Sequence, residues 1–346
     1  MIQKPTNLSS MQSTSRRFFR SHKVQQLRGF ISQFFVLLLS ALIGSLVVFA
    51  LLRLLGGDVA YILLGNEATQ DQVNSLRSEL GLDRAWFVQY FDWIKGFFTG
   101  DLGTSFSGSY EIFDQIGQRL IPTLLLAFGS LFVSISLALI LGTYAAMNAD
   151  NAKGVVTDIV SQVGTAIPAF WAGLILVVVF SVSFGWFPAG GYVPIQEDFW
   201  GSLRSIFLPI VALSLGITSV TTRFVRSAML DILNEDYIRT AMAKGCTRKR
   251  AVFVHGLRNA SIPVVTVGAL QLGNLLAGTI VIESVFVIPG LGQLLLTAVN
   301  GREVIVVQSI VLVILLIILV MNFMLDIAYG LLDPRIRDKR NGANHG

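Results

Sequence analysis

The sequence has very few of the residues on which catalysis and metal binding most often depend. Cys246 is the single cysteine, which excludes an internal disulfide and any cysteine-based metal cluster. His22, His255 and His345 are the only histidines, and they leave little material for acid–base chemistry. Cys246 and His255 together would supply two metal ligands on one loop, fewer than a metal site requires. We therefore expect no catalytic residue, no metal and no cofactor bound by this chain.

A loop that binds nucleoside triphosphates is also missing from the sequence. The pattern G-x-x-x-x-G-K-[ST] is absent, and no glycine in the chain is followed by lysine. That pattern is the one whose backbone N–H groups cradle phosphates. The glycines of segment 287–295 do not have its spacing, and the segment is typical of a turn or a short re-entrant piece. Energy from ATP would have to come from another protein.

Charged residues are scarce as well, at 14% of the chain, against about 25% in a soluble domain. Hydrophobic residues make up 53%, and the mean hydropathy is +0.67. Much of the surface must therefore face something other than water. The 24 Phe and 5 Trp agree with this, because aromatic rings gather at bilayer interfaces.

Six apolar stretches are long enough to cross a bilayer as helices, which takes about 20 residues. The sequence thus predicts an all-α integral membrane protein with about six transmembrane helices. The stretches are 30–52, 121–147, 156–183, 205–227, 262–284 and 304–329.

Basic residues gather on segments that six crossings place on one side of the membrane. By the positive-inside rule this side is cytoplasmic, and so are both termini. Topology then explains the net charge of +5, and a nucleic-acid partner is not expected. The basic residues are Lys4, Arg16, Arg17, Arg20, Lys23, Arg28, Lys153, Arg223, Arg226, Arg239, Lys244, Arg248, Lys249, Arg250, Arg258, Arg335, Arg337, Lys339 and Arg340.

The segment after the first crossing is expected to lie outside the cytoplasm and to contain two short helices. Thr69 and Gln72 form the pattern of a capping box that opens the first helix, and Gly81 marks its end. Aromatic residues recur at helical spacing through 86–98 and predict a second helix. Its aromatic face suits either the membrane interface or a partner protein.

The segment 235–265 is much longer than a connection between two crossings requires. Its composition predicts a helix on each side of Lys244-Gly245, with apolar stripes before and after the glycine. Tyr237, Ile238, Ala241 and Met242 form the first stripe; Ala251, Val252, Val254 and His255 form the second. Insertion into a groove of a cytoplasmic partner and adsorption to anionic lipid both fit these stripes and their basic flanks.

These features resemble the dipeptide/oligopeptide/nickel permease family of ABC importers. Segment 235–265 resembles the EAA loop, through which such permeases couple to their ATPases. Segments 57–106 and 257–295, together with FPAGGY at 187–192 and LLDPRIR at 331–337, also match the pattern of the family. The resemblance covers residues 28–337 in order. One departure is that Arg239-Thr240-Ala241 stands where the Glu-Ala-Ala core is expected, while Gly245 is kept.

The resemblance implies a type I importer permease of the bacterial or archaeal cell membrane. Its partners would be membrane lipid, a second homologous permease, two ATPase subunits that bind ATP and Mg, and an extracytoplasmic solute-binding protein. Peptide is the expected substrate. The alternatives are nickel or another small solute and, in a different class, an ion-coupled secondary transporter. The expected segments are a cytoplasmic tail over 1–29, a first crossing over 30–52, an extracytoplasmic segment over 53–120, a permease core over 121–330 with a coupling loop over 228–261, and a second tail over 331–346.

The expected site residues form three groups, which would couple to the ATPases, line a path and act as hinges. Polar side chains on the fourth and fifth crossings suit either a wet path or hydrogen bonds between helices. Two prolines are candidate hinges, and two acids near membrane ends, Glu283 and Asp326, suit either function or ordinary pairing. The coupling residues are Tyr237, Arg239, Thr240, Ala241, Lys244, Gly245, Arg250, His255, Arg258, Asn259 and Pro263. The path candidates are Ser214, Thr218, Gln271, Asn274 and Gly278, and the hinge candidates are Pro168 and Pro209.

Overall fold

The computed structural model describes residues 8–55, 59–65, 68–106, 110–252 and 256–332. Over these residues the chain is helical apart from turns and one isolated backbone bridge between Thr104 and Glu111. The helices are α1 (Leu8–Leu55), α2 (Val59–Leu64), α3 (Gln70–Glu79), α4 (Trp86–Thr99), α5 (Ile112–Met147), α6 (Ala152–Ala166), α7 (Ala169–Leu176), α8 (Phe199–Leu233), α9 (Asp236–Ala243), α10 (Arg248–Ala251), α11 (Leu257–Val285), α12 (Leu291–Asn300) and α13 (Val304–Leu332).

Four of these helices are long and apolar enough to cross a membrane within the described part of the chain, and a bent pair raises the number to five. Their apolar side chains are largely exposed; in α1 the rings of Phe30, Phe34 and Phe35 face outward. Soluble proteins rarely expose such continuous apolar surface. The all-helical membrane class is confirmed, while the count of six crossings stays a prediction. The four spans are Phe30–Leu54, Ile112–Met147, Phe199–Leu233 and Val304–Met324.

The third predicted stretch is not one straight helix. α6 and α7 meet at an angle of 101° across the break at Ile167 and Pro168. Ile167 has an extended backbone, with φ −84° and ψ 117°, because the ring of a following proline disfavours helical conformation. Wider π-helical turns continue α7 from Val177 to Ser183.

The core is built on α5 and α8, which form the most extensive helix pair. Small side chains line α5 at every fourth position from Ser130 through Ser134 and Ala138 to Gly142, and this lets the two backbones approach closely. Ser130 and Ser134 donate their hydroxyl protons across the contact to Ile210 O and Ser214 O, at 3.3 and 3.2 Å. Helix α11 then packs against both helices.

The two ends of α5 define two ends of the molecule, about 54 Å apart at ~1.5 Å per residue. At its start, Ile112 and Ile116 pack with α12 and α13 in one buried cluster, and α4 packs beside them; we call this the α4 end. At its final turns, Ala146 packs with Met229 and Val252 in a second cluster, next to α9 and α10; we call this the α9 end. The two segments expected on opposite sides of the membrane thus lie at opposite ends of α5.

The two short helices predicted in segment 53–120 are present as α3 and α4, and a third, α2, precedes them. Thr69 and Gln72 form the expected capping box at the start of α3. The aromatic residues of α4 do not share one face, however. Tyr90 shares a hydrogen bond with Ser45 of α1, Trp93 donates one to Ser309 of α13, and Phe97 packs half-buried against the cluster at the α4 end. The outward aromatic residues are Trp86, Phe87, Phe91 and Phe98.

Candidate functional site

The connection between α8 and α11 is the first candidate site, and we call its described residues, 234–252, the coupling segment. It is shorter than the expected 228–261, because α8 continues to Leu233 and α11 begins at Leu257. The expected arrangement of helix, glycine and helix is present as α9, Gly245 and α10.

Helix α9 ends in a Schellman motif at Gly245. Gly245 N–H donates to Met242 O at 2.9 Å, and Cys246 N–H donates to Ala241 O at 3.1 Å. The residue after the C-cap must then adopt a left-handed conformation, and Gly245 has φ +88°. A Cβ placed on Gly245 would meet no atom within 4 Å, so the glycine is required by its backbone conformation alone.

The side chains of the coupling segment divide into an anchored part and an exposed part. Ile238, Ala251 and Val252 are fully buried within the chain. Ala251 and Val252 therefore face neither a partner nor lipid, the two alternatives for their stripe, because they are buried and Val252 lies in one cluster with Val225 and Met229 of this chain. Among the predicted coupling residues that are described, Ala241 is half-buried and the others are exposed: Tyr237, Arg239, Thr240, Lys244, Gly245 and Arg250. Met242 of the first apolar stripe is exposed as well.

The side chains of four expected coupling residues lie outside the described part of the structure. His255, together with Val254 of the second stripe, falls outside the described residues. Arg258, Asn259 and Pro263 fall within α11, at positions whose side chains are outside the described part of the structure.

The path candidates do not come together in one place. Ser214 and Thr218 are buried on α8, and Gly278 of α11 approaches Leu213 of α8, since a Cβ there would lie 3.2 Å from its Cδ2. Asn274, in contrast, lies on the exposed face of α11 and donates to half-buried Gln271 Oε1 at 3.0 Å. Leu270, Ala277, Val281 and Ser284 share this exposed face.

Four buried threonine hydroxyl groups on α5 and α8 lack a hydrogen-bond partner among the described residues. They belong to Thr143, Thr218, Thr221 and Thr222. Interhelical hydrogen bonding was one expectation for the polar side chains of the fourth crossing, but the hydroxyl groups of Thr218, Thr221 and Thr222 make no such bond among the described residues. Side-chain hydrogen bonds between α5 and α8 come instead from Ser130 and Ser134, two residues of α5 that were not among the predicted site residues although they have a helical four-residue spacing.

The two hinge candidates differ in their surroundings. Pro168 lies at the 101° break between α6 and α7. Pro209 lies inside α8, which continues on both sides of it without interruption. A hinge at either position stays a prediction.

Glu283 is the most completely enclosed acid of the described residues. It lies in the last turn of α11 at the α4 end, with an exposed fraction of 0%. Its carboxylate accepts from Thr123 Oγ1 at 2.6 Å and from Gln293 N–H at 3.0 Å. Arg119 donates to the Gln293 side chain at 3.4 Å, and its positive charge interacts favourably with the Glu283 carboxylate. We call Glu283, Thr123 and the first turn of α12 the α12 latch.

Glycines make room for the latch. A Cβ on Gly290 would lie 2.2 Å from the Glu283 carboxyl carbon, and one on Gly292 would lie 2.9 Å from its Oε2. Leu291 N–H also donates to Thr123 Oγ1, at 2.8 Å. The carboxylate thus replaces a side-chain cap at the start of α12, where Gly290 supplies none. Asp326, the second acid considered, has a side chain outside the described part.

The fold and these sites define a helical membrane protein whose bundle carries the ordered coupling segment at its α9 end. Two family profiles match the chain: the binding-protein-dependent transport system inner membrane component over residues 138–338, and its N-terminal membrane component over residues 26–127. The chain belongs to this family of inner-membrane permease subunits of ABC importers. It is a multi-pass protein of the bacterial inner membrane and a transport subunit, not an enzyme.

Curated relatives align over most of their length. A putative peptide transport system permease protein of Brucella abortus is 37% identical over 296 residues, which cover 86% of this chain and 94% of the relative. The di/tripeptide transport system permease protein DppB of Pseudomonas aeruginosa is 36% identical over 335 residues, covering 90% and 99%. The glutathione transport system permease protein GsiC of Salmonella choleraesuis is 38% identical over 298 residues, covering 86% and 95%.

Proposed function

We propose that this chain forms half of the transmembrane path of an ABC importer for peptides. The relatives support the substrate class, since their names specify peptides, di- and tripeptides, and glutathione. A permease of this family works with ATPase and solute-binding partners. In the assembly proposed, a second homologous permease supplies the other half of the path, two ATPase subunits bind ATP and Mg, and an extracytoplasmic protein delivers the peptide.

The coupling segment carries the proposal that this chain receives the ATPase motion. Helix α9 buries the side chain of Ile238 and ends at Gly245 in a Schellman motif. Its exposed Tyr237 and Met242 offer an apolar contact, and Lys244 lies beside them. Apolar anchors on a short helix are suited to a groove on a partner. A push on α9 would be transmitted through Val252 to α8 and α5.

The exposed face of α11 supports the arrangement of two permeases. Amide side chains such as Asn274 are costly against hydrocarbon, and they usually face protein or a wet cavity in membranes. We propose that Gln271 and Asn274 face the second permease and the path between the two chains. Ser214, Thr218 and Gly278 then serve the motion of α8 against α11, and the break at Pro168 is proposed as a hinge for it.

Reconstitution tests this function. The chain is expected to co-purify with a second permease and with an ATPase, and the complex with its binding protein is expected to take up labelled tripeptide into liposomes only with ATP. Ni²⁺ uptake without peptide uptake would identify the nickel alternative instead. Transport by the chain alone, driven by an ion gradient and without ATP, would overturn the importer proposal.

A further inference from the structure

A cavity of about 600 Å³ lies at the α4 end, between α1, the α3–α4 connection and the start of α13. This volume is within the range of roughly 300–1,000 Å³ typical of small-molecule sites. It is separate from the coupling segment, the α11 face and the α12 latch. Its lining includes Phe49, Leu52, Arg53, Arg84, Asp92 and Asp101.

The cavity lies at the level where the membrane meets water. Leu54, at the end of the apolar span of α1, is one residue from Arg53 of the lining, and the apolar span of α13 begins at Val304, itself a lining residue. The outward aromatic residues of α4 lie on the same segment, and such rings gather at the headgroup level. A ligand in this cavity would therefore be in reach of both lipid and solvent.

The cavity wall combines an apolar part with a charged part. Phe49, Leu52 and Trp93 supply apolar surface. Three arginines and two aspartates line the remainder, so the charged wall carries one net positive charge: Arg53, Arg77, Arg84, Asp92 and Asp101. Cations and carboxylates together suit a ligand that carries both charge signs.

Gln89 holds the Arg53 side chain in place and also bonds to two backbone carbonyl groups, while Asp92 holds the Arg84 side chain. Arg53 donates to Gln89 Oε1, and Gln89 Nε2 donates to Leu82 O and Arg84 O at 3.1 and 2.7 Å. Arg84 also pairs with Asp92 at 2.6 Å. A guanidinium has five N–H donors, so Arg53 and Arg84 keep donors for a ligand after making these bonds. Arginine binds phosphate oxygens in this way.

We propose that this cavity binds the headgroup of a zwitterionic phospholipid that carries an ammonium group. Its phosphate accepts from Arg53 and Arg84, its ammonium donates to Asp92 and Asp101, and its acyl chains follow the exposed apolar face of α1 at Leu51 and Leu54. A free phosphate would leave the apolar wall unused, and a lipid with a purely anionic headgroup would meet two carboxylates. The bound lipid would fasten the α3–α4 segment to α1 and α13.

Native mass spectrometry of the delipidated full-length chain tests this site. Phosphatidylethanolamine, phosphatidylglycerol and phosphatidylcholine are added back in turn. Phosphatidylethanolamine is expected to bind most tightly, and the double variant Arg53→Gln, Arg84→Gln to bind it at least about tenfold more weakly, since two charge-assisted hydrogen bonds are lost. Lys95→Gln removes a charge from exposed α4 surface outside the cavity and is expected to leave binding unchanged.

A second variant tests the acidic part of the site, and several results would overturn the proposal. Asp101→Asn is expected to reduce the preference for phosphatidylethanolamine over phosphatidylglycerol, and this readout holds even if the double variant proves unstable. Equal lipid affinity in wild type and the double variant, or no preference among the three lipids, would overturn the proposal. Displacement of the lipid by inorganic phosphate would identify a site for free phosphate, and displacement by a tripeptide would identify a peptide site; each overturns it too.

Discussion

The Glu283 carboxylate accepts a hydrogen bond from Thr123 Oγ1 at 2.6 Å, joining two helices across 160 positions of sequence. The same carboxylate holds Gln293 N–H, so it fixes the start of α12 against α5 and α11. A fully buried carboxylate is stable only with such partners. The latch therefore sets where α12 lies relative to the bundle, at the end opposite the coupling segment.

Replacing Glu283 with glutamine keeps the shape of the side chain but places an NH₂ group where one acceptor oxygen was. The NH₂ group cannot accept a hydrogen bond, so the charge-assisted bond from either Thr123 or the α12 backbone is lost. We expect Glu283→Gln to lower the free energy of unfolding by about 2 kcal/mol, the typical contribution of a hydrogen bond to a charged group. Unfolding in lipid nanodiscs, followed by tryptophan fluorescence, measures it. Glu197→Gln, on an exposed loop, is the control, and equal effects of the two changes would show that the latch does not stabilise the fold.

Two glycines of α5 give a matched test of the contact between α5 and α8. A Cβ on Gly142 would lie 2.6 Å from Val225 Cβ and 2.8 Å from Thr222 O, whereas one on Gly117 would meet nothing within 4 Å. Gly142→Ala is expected to destabilise the chain by about 1–3 kcal/mol through overpacking. Gly117→Ala is expected to be neutral or to stabilise by up to about 1 kcal/mol, because alanine favours helix. The measurement is the free energy of unfolding of each variant, and Gly142→Ala is expected to be the less stable of the two. If Gly142→Ala is as stable as the wild type, α5 and α8 lie further apart than described.

The hydrogen bond between Tyr90 and Ser45 fastens α4 to α1. The two hydroxyl oxygens are 2.8 Å apart and buried. We expect Tyr90→Phe and Ser45→Ala each to cost about 1 kcal/mol of stability. In a double-mutant cycle the two changes together should cost less than the sum, since either one removes the same bond. Fully additive losses in the unfolding measurement would mean that the residues act independently.

Local features were predictable from the sequence, and features that depend on distant contacts were not. The capping box of Thr69 and Gln72 and the helix after it need only neighbouring residues, and both were found. The partner of Glu283 comes from another helix, so the sequence left its role open. Periodicity likewise identified the apolar stripe containing Ala251 and Val252, but it could not tell that this chain itself buries the stripe.

The coupling role of Gly245 can be separated from its role in folding by comparing two glycines. Gly245 and Gly185 both have a left-handed backbone, with φ +88° and +66°, and a Cβ at either would meet nothing within 4 Å. Valine at either position therefore costs a similar backbone strain, about 1–2 kcal/mol. Gly185 lies in the connection between α7 and α8, away from the coupling segment.

We expect Gly245→Val to reach the membrane but to abolish ATP-driven uptake and the stimulation of ATP hydrolysis by loaded binding protein. The strain breaks the Schellman motif, which turns α9 away from its partner. Gly245→Asn is expected to retain much of the activity, because asparagine tolerates the left-handed region. Gly185→Val should transport normally. Normal uptake by Gly245→Val would remove the coupling role from this glycine, whereas equal loss in Gly185→Val would trace the defect to backbone strain in general.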